Sequence, residues 1–265
     1  IRIIDHQFVD PDFLATRYVG HPLPWRKVAT ASFVSLSLGH SIGFAGLSSG
    51  AIRYRFYRRW GLGVSEVTKL VVFCGLTVGL GLTVLAGIAL LAEPWLARDV
   101  TGLSETASRA VGLLCLAVAA GYVVLSAVLT RPLRLWRWTV EIPGFRLAVA
   151  QILVGTVNFA LVAACLNQAL AVVADAPYLG VASVYVLANV ATLITHVPGG
   201  LGVIESVVTS LVPGAQVIGA VVVFRVVYFI APLAIGATTL ALVELRLAWR
   251  QRQGRQNDAQ ITGSA

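Results

Sequence analysis

The chain has 265 residues, 57% hydrophobic and 12% charged, with a mean hydropathy of +0.83. Soluble domains carry about 25% charged residues, so this composition excludes a water-soluble fold, a disordered chain and a coiled coil, and leaves a polytopic membrane protein. The net charge is +8, from 20 basic and 12 acidic residues, and 18 of the bases are arginine. Such an excess suits cytoplasmic loops and lipid phosphates better than nucleic acid, for which no soluble domain offers a groove.

Residues 1–27 carry Asp5, His6, Asp10, Asp12 and Arg17, which break any apolar run, and no signal peptide is evident. Residues 28–50 are apolar but rich in Gly and Ser, and either span or dip and return. A spanning helix needs about 20 apolar residues. Residues 67–92, 110–130, 147–174, 178–195 and 216–243 are predicted to supply such helices; the last contains Arg225 and Pro232. Arginines at 53, 55, 58 and 59, then at 131, 134, 137 and 146, then at 246, 250, 252 and 255 mark three cytoplasmic regions. The acidic loop around Glu93, Asp99 and Glu105 and the loop at Asp175 fit the outer side. On this alternation the 178–195 helix ends inside, near His196. Residues 201–212 are too short to cross and are predicted to form a re-entrant half-helix. The 216–243 segment then either folds at Pro232 into a hairpin or crosses once as a kinked helix. The expected fold class is all-α, a transmembrane helical bundle with re-entrant or broken helices.

Three constellations are candidates for function. The first runs from Gly46 to Trp60, where Arg53, Arg55, Arg58 and Arg59 interleave with Tyr54, Phe56 and Tyr57. Arginine presents a planar fork that matches phosphate, and aromatic rings favour the headgroup layer. It is either a seat for an anionic headgroup or a plain topology anchor. Helical spacing puts Arg55 with Arg59, and Tyr54 with Arg58. The second runs from His196 to Glu205. Pro198, Gly199, Gly200 and Gly202 break one helix and allow another to start, and freed backbone groups at such a break must line protein or a polar cavity. An acid inside an apolar stretch, as Glu205 is here, is costly and marks a candidate site. The third is Arg225 with Tyr228 one turn on; Glu205 is its natural partner, snorkelling to an interface the alternative.

Other polar residues, among them Tyr185, Asn189, Thr192 and His196 on one helix face and Gln151 and Asn158 on another, are explained by hydrogen bonds between helices. Gly39/Gly43, Gly46/Gly50 and Gly75/Gly79 have the spacing of close helix packing, with a homodimer as the further reading. Cys74, Cys115 and Cys165 read as small core residues. The four histidines are scattered. No metal-ligand spacing, phosphate loop or nucleophile elbow is present in the sequence, so no metal, cofactor or catalytic residue is expected.

The segments Asp12–Gly20, Leu23–Ala29, Ser49–Tyr57, Trp60–Leu62 and Val72–Thr77 resemble the membrane half of lysylphosphatidylglycerol synthases, the multiple peptide resistance factor family. Pro198-Gly199-Gly200-Leu201-Gly202-Val203-Ile204-Glu205 is similar to that family's Pro-Gly-Gly-Leu-Gly-Val-Phe-Glu signature, and Phe224–Tyr228 to its following Tyr-Arg segment. The likeness runs from about residue 12 to 248. Full-length members join an acyltransferase domain, which moves lysine from tRNA to phosphatidylglycerol, to a membrane domain that flips the product.

The resemblance implies substrate contacts at Asp12, Arg53, Arg55, Glu205 and Arg225, to which the residue pattern adds Arg58 and Tyr228. It also implies phospholipid headgroups as partners, a separately encoded synthase as a further one, and the bacterial inner membrane as location, with the C-terminus cytoplasmic. Residues 1–27 form a polar segment expected to be N-terminally incomplete, 28–249 a flippase-like domain and 250–265 a disordered tail. The residues after Trp249 are too few for an acyltransferase, so the expected protein translocates an anionic or aminoacylated phospholipid without chemistry of its own. The alternatives are an anchoring or regulatory subunit for such a synthase, and a transporter of a polyprenyl-linked sugar.

Overall fold

The computed structural model describes residues 10–42, 45–95, 103–129, 133–135, 138–140, 142–174, 177–195, 197, 200–211 and 217–263. Ten α-helices are named here in chain order. They are α1 (Pro11–Tyr18), α2 (Trp25–Ile42), α3 (Ala45–Arg58), α4 (Val64–Ala92), α5 (Glu105–Val128), α6 (Phe145–Leu170), α7 (Tyr178–Thr195), α8 (Val203–Leu211), α9 (Val217–Arg225) and α10 (Ala231–Gly263). A wide π-type turn, Val226–Ile230, joins α9 to α10 without a break. Two three-residue strands, Leu133–Leu135 and Trp138–Val140, pair antiparallel in the loop before α6, with Arg134 opposite Thr139. The bundle itself is all-helical, as the composition demands.

Five stretches are long and apolar enough to cross a membrane: α4, α5, α6, α7 and Val217–Arg246. Their outward side chains are apolar, for example Val72 and Leu76 of α4, Leu113 and Leu114 of α5, and Leu153 and Leu161 of α6. In water such a surface would be unstable; in hydrocarbon it is the required one. The last segment is one continuous helix through Pro232, so the hairpin alternative is excluded. Its wide turn loosens the backbone where Pro232 removes a donor.

The described part of the 28–50 region forms two helices packed against each other. α2 and α3 pack together closely, with the Ser48 hydroxyl donating to the Gly39 carbonyl (3.1 Å) and Gly39 meeting Ser49 too tightly for a side chain. Gly50 packs on Val71 of α4 at ordinary contact distance. Gly75 and Gly79 face open space, and Gly43 lies outside the described residues. Backbones meet most closely between α4 and α6, where a Cβ on Gly81 would overlap the Gly155 backbone. Gln151 locks the same pair of helices. It is fully buried, its amide donating to the Phe73 carbonyl (3.2 Å) and Thr77 hydroxyl (3.1 Å), and it accepts from Tyr122 of α5 at 2.5 Å. This is the interhelical role expected of such residues.

Two expectations about the ends are corrected. The polar look of residues 1–27 conceals α1, which buries Asp12, Phe13, Leu14, Ala15 and Thr16 among α2, α4 and α6. Asp10 caps its start by accepting from the Asp12 amide (2.8 Å), with Pro11 in the first turn. At the other end α10 runs on to Gly263, so the tail expected to be disordered is helical over residues 250–263.

Two apolar cores result. One gathers α1, α2, α3 and the first half of α4, around Leu14, Val34, Tyr57 and Phe73. The other gathers α6 to α9 and the second half of α4, around Leu85, Leu166, Val184, Val208 and Phe224.

Candidate functional site

Each core encloses one arginine–carboxylate pair. In the first, the Arg53 guanidinium donates through Nε to Asp12 Oδ1 (2.7 Å) and through Nη2 to Oδ2 (2.8 Å). The side chains are 4% and 0% exposed. Tyr57 donates to Asp12 Oδ1 at 3.1 Å and Ser32 to Oδ2 at 2.8 Å. Four donors thus meet the roughly four lone-pair sites of one carboxylate. A bare ion pair in such surroundings costs more than it returns unless its remaining hydrogen-bonding capacity is met, and here the carboxylate's is.

The second pair is Glu205 and Arg225, as expected from the sequence. Arg225 Nε donates to Glu205 Oε1, and Nη2 donates to Oε2 (2.7 Å) and to the Gly200 carbonyl (2.7 Å). The Glu205 side chain is 26% exposed and that of Arg225 10%, so this site is more open than the first. Gly200 and Gly202 adopt φ of +58° and +78°, the left-handed region that favours glycine. A Cβ on Gly200 would also come within 2.8 Å of the Thr192 hydroxyl. The reversal delivers the Gly202 amide to Glu205 Oε2 (2.9 Å), capping α8. Pro198, Gly199 and His196 lie outside the described residues. Tyr228 stacks on Phe224 with centroids 5.4 Å apart. The Arg225 guanidinium lies over the Phe229 ring.

The arginine cluster is not a single site. Arg53 is occupied by Asp12. Arg55 and Arg59 both hold Glu244 of α10, at 2.7 and 2.8 Å, and are partly exposed. Arg58 is exposed against Tyr54, whose hydroxyl lies 3.1 Å from Nη1. The face-sharing expected of Arg55 with Arg59 and of Tyr54 with Arg58 is present, but only the outer arginines are open to a ligand's approach. Among the described residues no cluster of metal-ligating side chains occurs.

Depth follows from helix rise. Arg53 lies six residues, about 9 Å of helix, beyond Arg59. Arg225 lies 19 residues, about 28 Å of helix, from Glu244, which pairs with that same Arg59. The two buried pairs therefore lie at different distances along the bundle from the Arg59–Glu244 contact. α8 is about 13 Å long, too short to cross, whereas α7 has the length and apolarity of a crossing and Val217–Arg246 is one continuous stretch.

A signal in the sequence passed unread. Gly61-Leu62-Gly63-Val64-Ser65-Glu66 repeats the pattern of Gly200-Leu201-Gly202-Val203-Ile204-Glu205. Its cap repeats too, although Gly63 is extended at φ −75° where Gly202 is left-handed. Gly61 has φ +95°, and the Gly63 amide donates to Glu66 Oε2 at 2.7 Å, capping α4.

The bundle and its buried charge pairs define a multi-pass helical membrane protein. No protein-family model matches the chain. It is 34% identical over 250 residues to the uncharacterized protein slr0712 of Synechocystis, covering 92% of this chain and 77% of that one. It is 30% identical over 243 residues to the inner membrane protein YbhN of Escherichia coli K12, covering 88% of this chain and 74% of that one. The chain belongs to the family of membrane proteins that these two represent.

Proposed function

We propose that the protein is a member of the lysylphosphatidylglycerol synthase-like membrane domains and moves an anionic or aminoacylated phospholipid across the inner membrane, without catalysing a reaction. Its C-terminus would face the cytoplasm, with Arg55, Arg58 and Arg59 at the inner headgroup layer. The observation that carries this reading is the pair of arginine–carboxylate couples at two depths. A phosphate displaces a carboxylate from a guanidinium by offering, as the carboxylate does, two oxygens to the guanidinium fork. The carboxylate so released is free to take an ammonium on the same headgroup. Arg58 and Arg55 meet the lipid first, Arg53 with Asp12 holds it in the inner half, and Arg225 with Glu205 receives it at the broken helix, beside Tyr228. Broken helices inside a membrane are a recurrent place for such cargo.

The test is reconstitution of the full chain in liposomes carrying labelled phosphatidylglycerol or its lysyl form in one leaflet, with label accessibility followed over time. Accessibility rising faster than in empty liposomes, and slowed by Glu205→Gln and Arg225→Gln, is the expected result. Movement no faster than in empty liposomes would leave the regulatory-subunit reading in its place.

A further inference from the structure

The first site contains a carboxylate that the ion pair does not use. Asp10 Oδ1 lies 3.1 Å from the Ser32 hydroxyl, whose oxygen also lies 2.8 Å from Asp12 Oδ2. One hydroxyl carries one hydrogen. If it goes to Asp12, the Asp10 contact is a hydrogen bond only when Asp10 supplies a hydrogen of its own. With Asp10 protonated the cluster of Asp10, Asp12 and Arg53 is neutral; with Asp10 ionised it carries one net negative charge at the edge of an apolar core, where Asp10 is half-buried.

Asp10 Oδ1 also accepts from the Asp12 amide at 2.8 Å, and other groups surround it among the described residues. From α1 there is Asp12, from α2 Ser32, from α3 Arg53 and Tyr57, and from α4 Cys74. Leu147, Ala150 and Val154 of α6 and Leu240 and Val243 of α10 pack on this core with apolar side chains. The nearest acid of α10, Glu244, is held by Arg55 and Arg59. Arg17 of α1 lies over the Phe13 ring. Among the described residues Arg53 is the cation that acts on Asp10, and it is matched by Asp12.

We infer that this cluster holds one exchangeable positive charge, a proton on Asp10 when the site is empty and the ammonium of a cationic headgroup when it is loaded. Binding of an aminoacylated lipid then expels the Asp10 proton, and its departure draws one back. Lipid movement is coupled to proton movement in the opposite sense, with charge conserved at the site. Phosphatidylglycerol itself, which brings no ammonium, leaves the proton in place. The inference rests on the proposed lipid reading and adds to it a substrate charge and a source of energy. Burial, with the neighbouring Asp12 charge second, pushes Asp10 up from 3.8 to about 6, so the proton is present at mildly acidic pH.

Two measurements on the full chain in detergent decide it. In the first, infrared spectra are recorded without lipid across pH 4 to 8. A protonated-carboxyl stretch that disappears with a midpoint near 6, is absent in Asp10→Asn and shifts in Ser32→Ala is expected. No such band at acid pH, or one unchanged by Asp10→Asn, overturns the inference whether or not lipid binds. In the second, lysylphosphatidylglycerol or phosphatidylglycerol is added at pH 5 in weakly buffered solution containing a pH dye. Release of about one proton per lysyl lipid bound, none with phosphatidylglycerol and none in Asp10→Asn, is expected. Binding without release overturns the inference and leaves the lipid reading standing. Absence of binding of either lipid sinks the lipid reading and the exchange with it, while the infrared titration still reports the proton.

Discussion

The hexapeptide Gly-Leu-Gly-Val-x-Glu occurs twice, and the two copies do different work. At Gly61–Glu66 the motif sits between α3 and α4, its glutamate half-buried and bonded to the Gly63 amide. At Gly200–Glu205 the glutamate is half-buried too, and it holds Arg225 as well as the Gly202 amide. Local sequence thus determines the cap, while the neighbouring helix determines whether the acid is only a cap or also the counter-ion of a buried cation. The same contrast separates Asp12 from Glu205: one is sealed by four donors, the other is a quarter exposed.

That contrast can be broken by substitution. The largest effect is expected at the sealed pair. Arg53→Gln leaves the Asp12 carboxylate buried without its cation and should lower stability by about 3–5 kcal/mol, read as a fall in the detergent unfolding midpoint; Asp12→Asn with Arg53→Gln should regain part of it. Next are the turn glycines. Gly200→Ala adds a clash with Thr192 to the left-handed backbone, where Gly61→Ala meets only the His21 ring at 3.7 Å. Both should lose about 1–2 kcal/mol from the backbone, and Gly200→Ala more; equal losses would show that the buried setting adds nothing. Glutamate neutralisation sharpens the comparison further. Glu205→Gln should slow lipid movement markedly, whereas Glu66→Gln should cost about 1 kcal/mol of cap stability or less and leave movement unchanged.

The pH dependence is smaller. Because the folded state raises Asp10 from 3.8 to about 6, it binds the proton more tightly than the unfolded chain. The stabilisation is complete below pH 4 and is lost as pH rises through 6. Asp10→Asn should flatten that part of the stability profile. Arg250→Gln, in the terminal stretch of α10, should do least of all.

The spans were legible because an uninterrupted apolar run has few alternatives in a membrane. The Glu205–Arg225 pair was legible for a related reason: each is an isolated charge in a greasy segment, and each needs a partner. α1 was hidden because Asp10, Asp12 and Arg17 in so short a stretch look like a solvated segment, and only the fold reveals that the Asp12 charge is neutralised 41 residues on, by Arg53. The repeated hexapeptide was in plain view, but its meaning needs the two glutamates placed in space.

The wide turn at Val226–Ile230 has a rotational consequence. Along a plain α-helix the 19 steps from Arg225 to Glu244 amount to five turns and about 100°. A π-type turn takes up about one residue of that advance, which returns the two side chains to nearly the same azimuth. One rod can therefore present its arginine to the α8 terminus and its glutamate to the α3 arginines without twisting either out of reach.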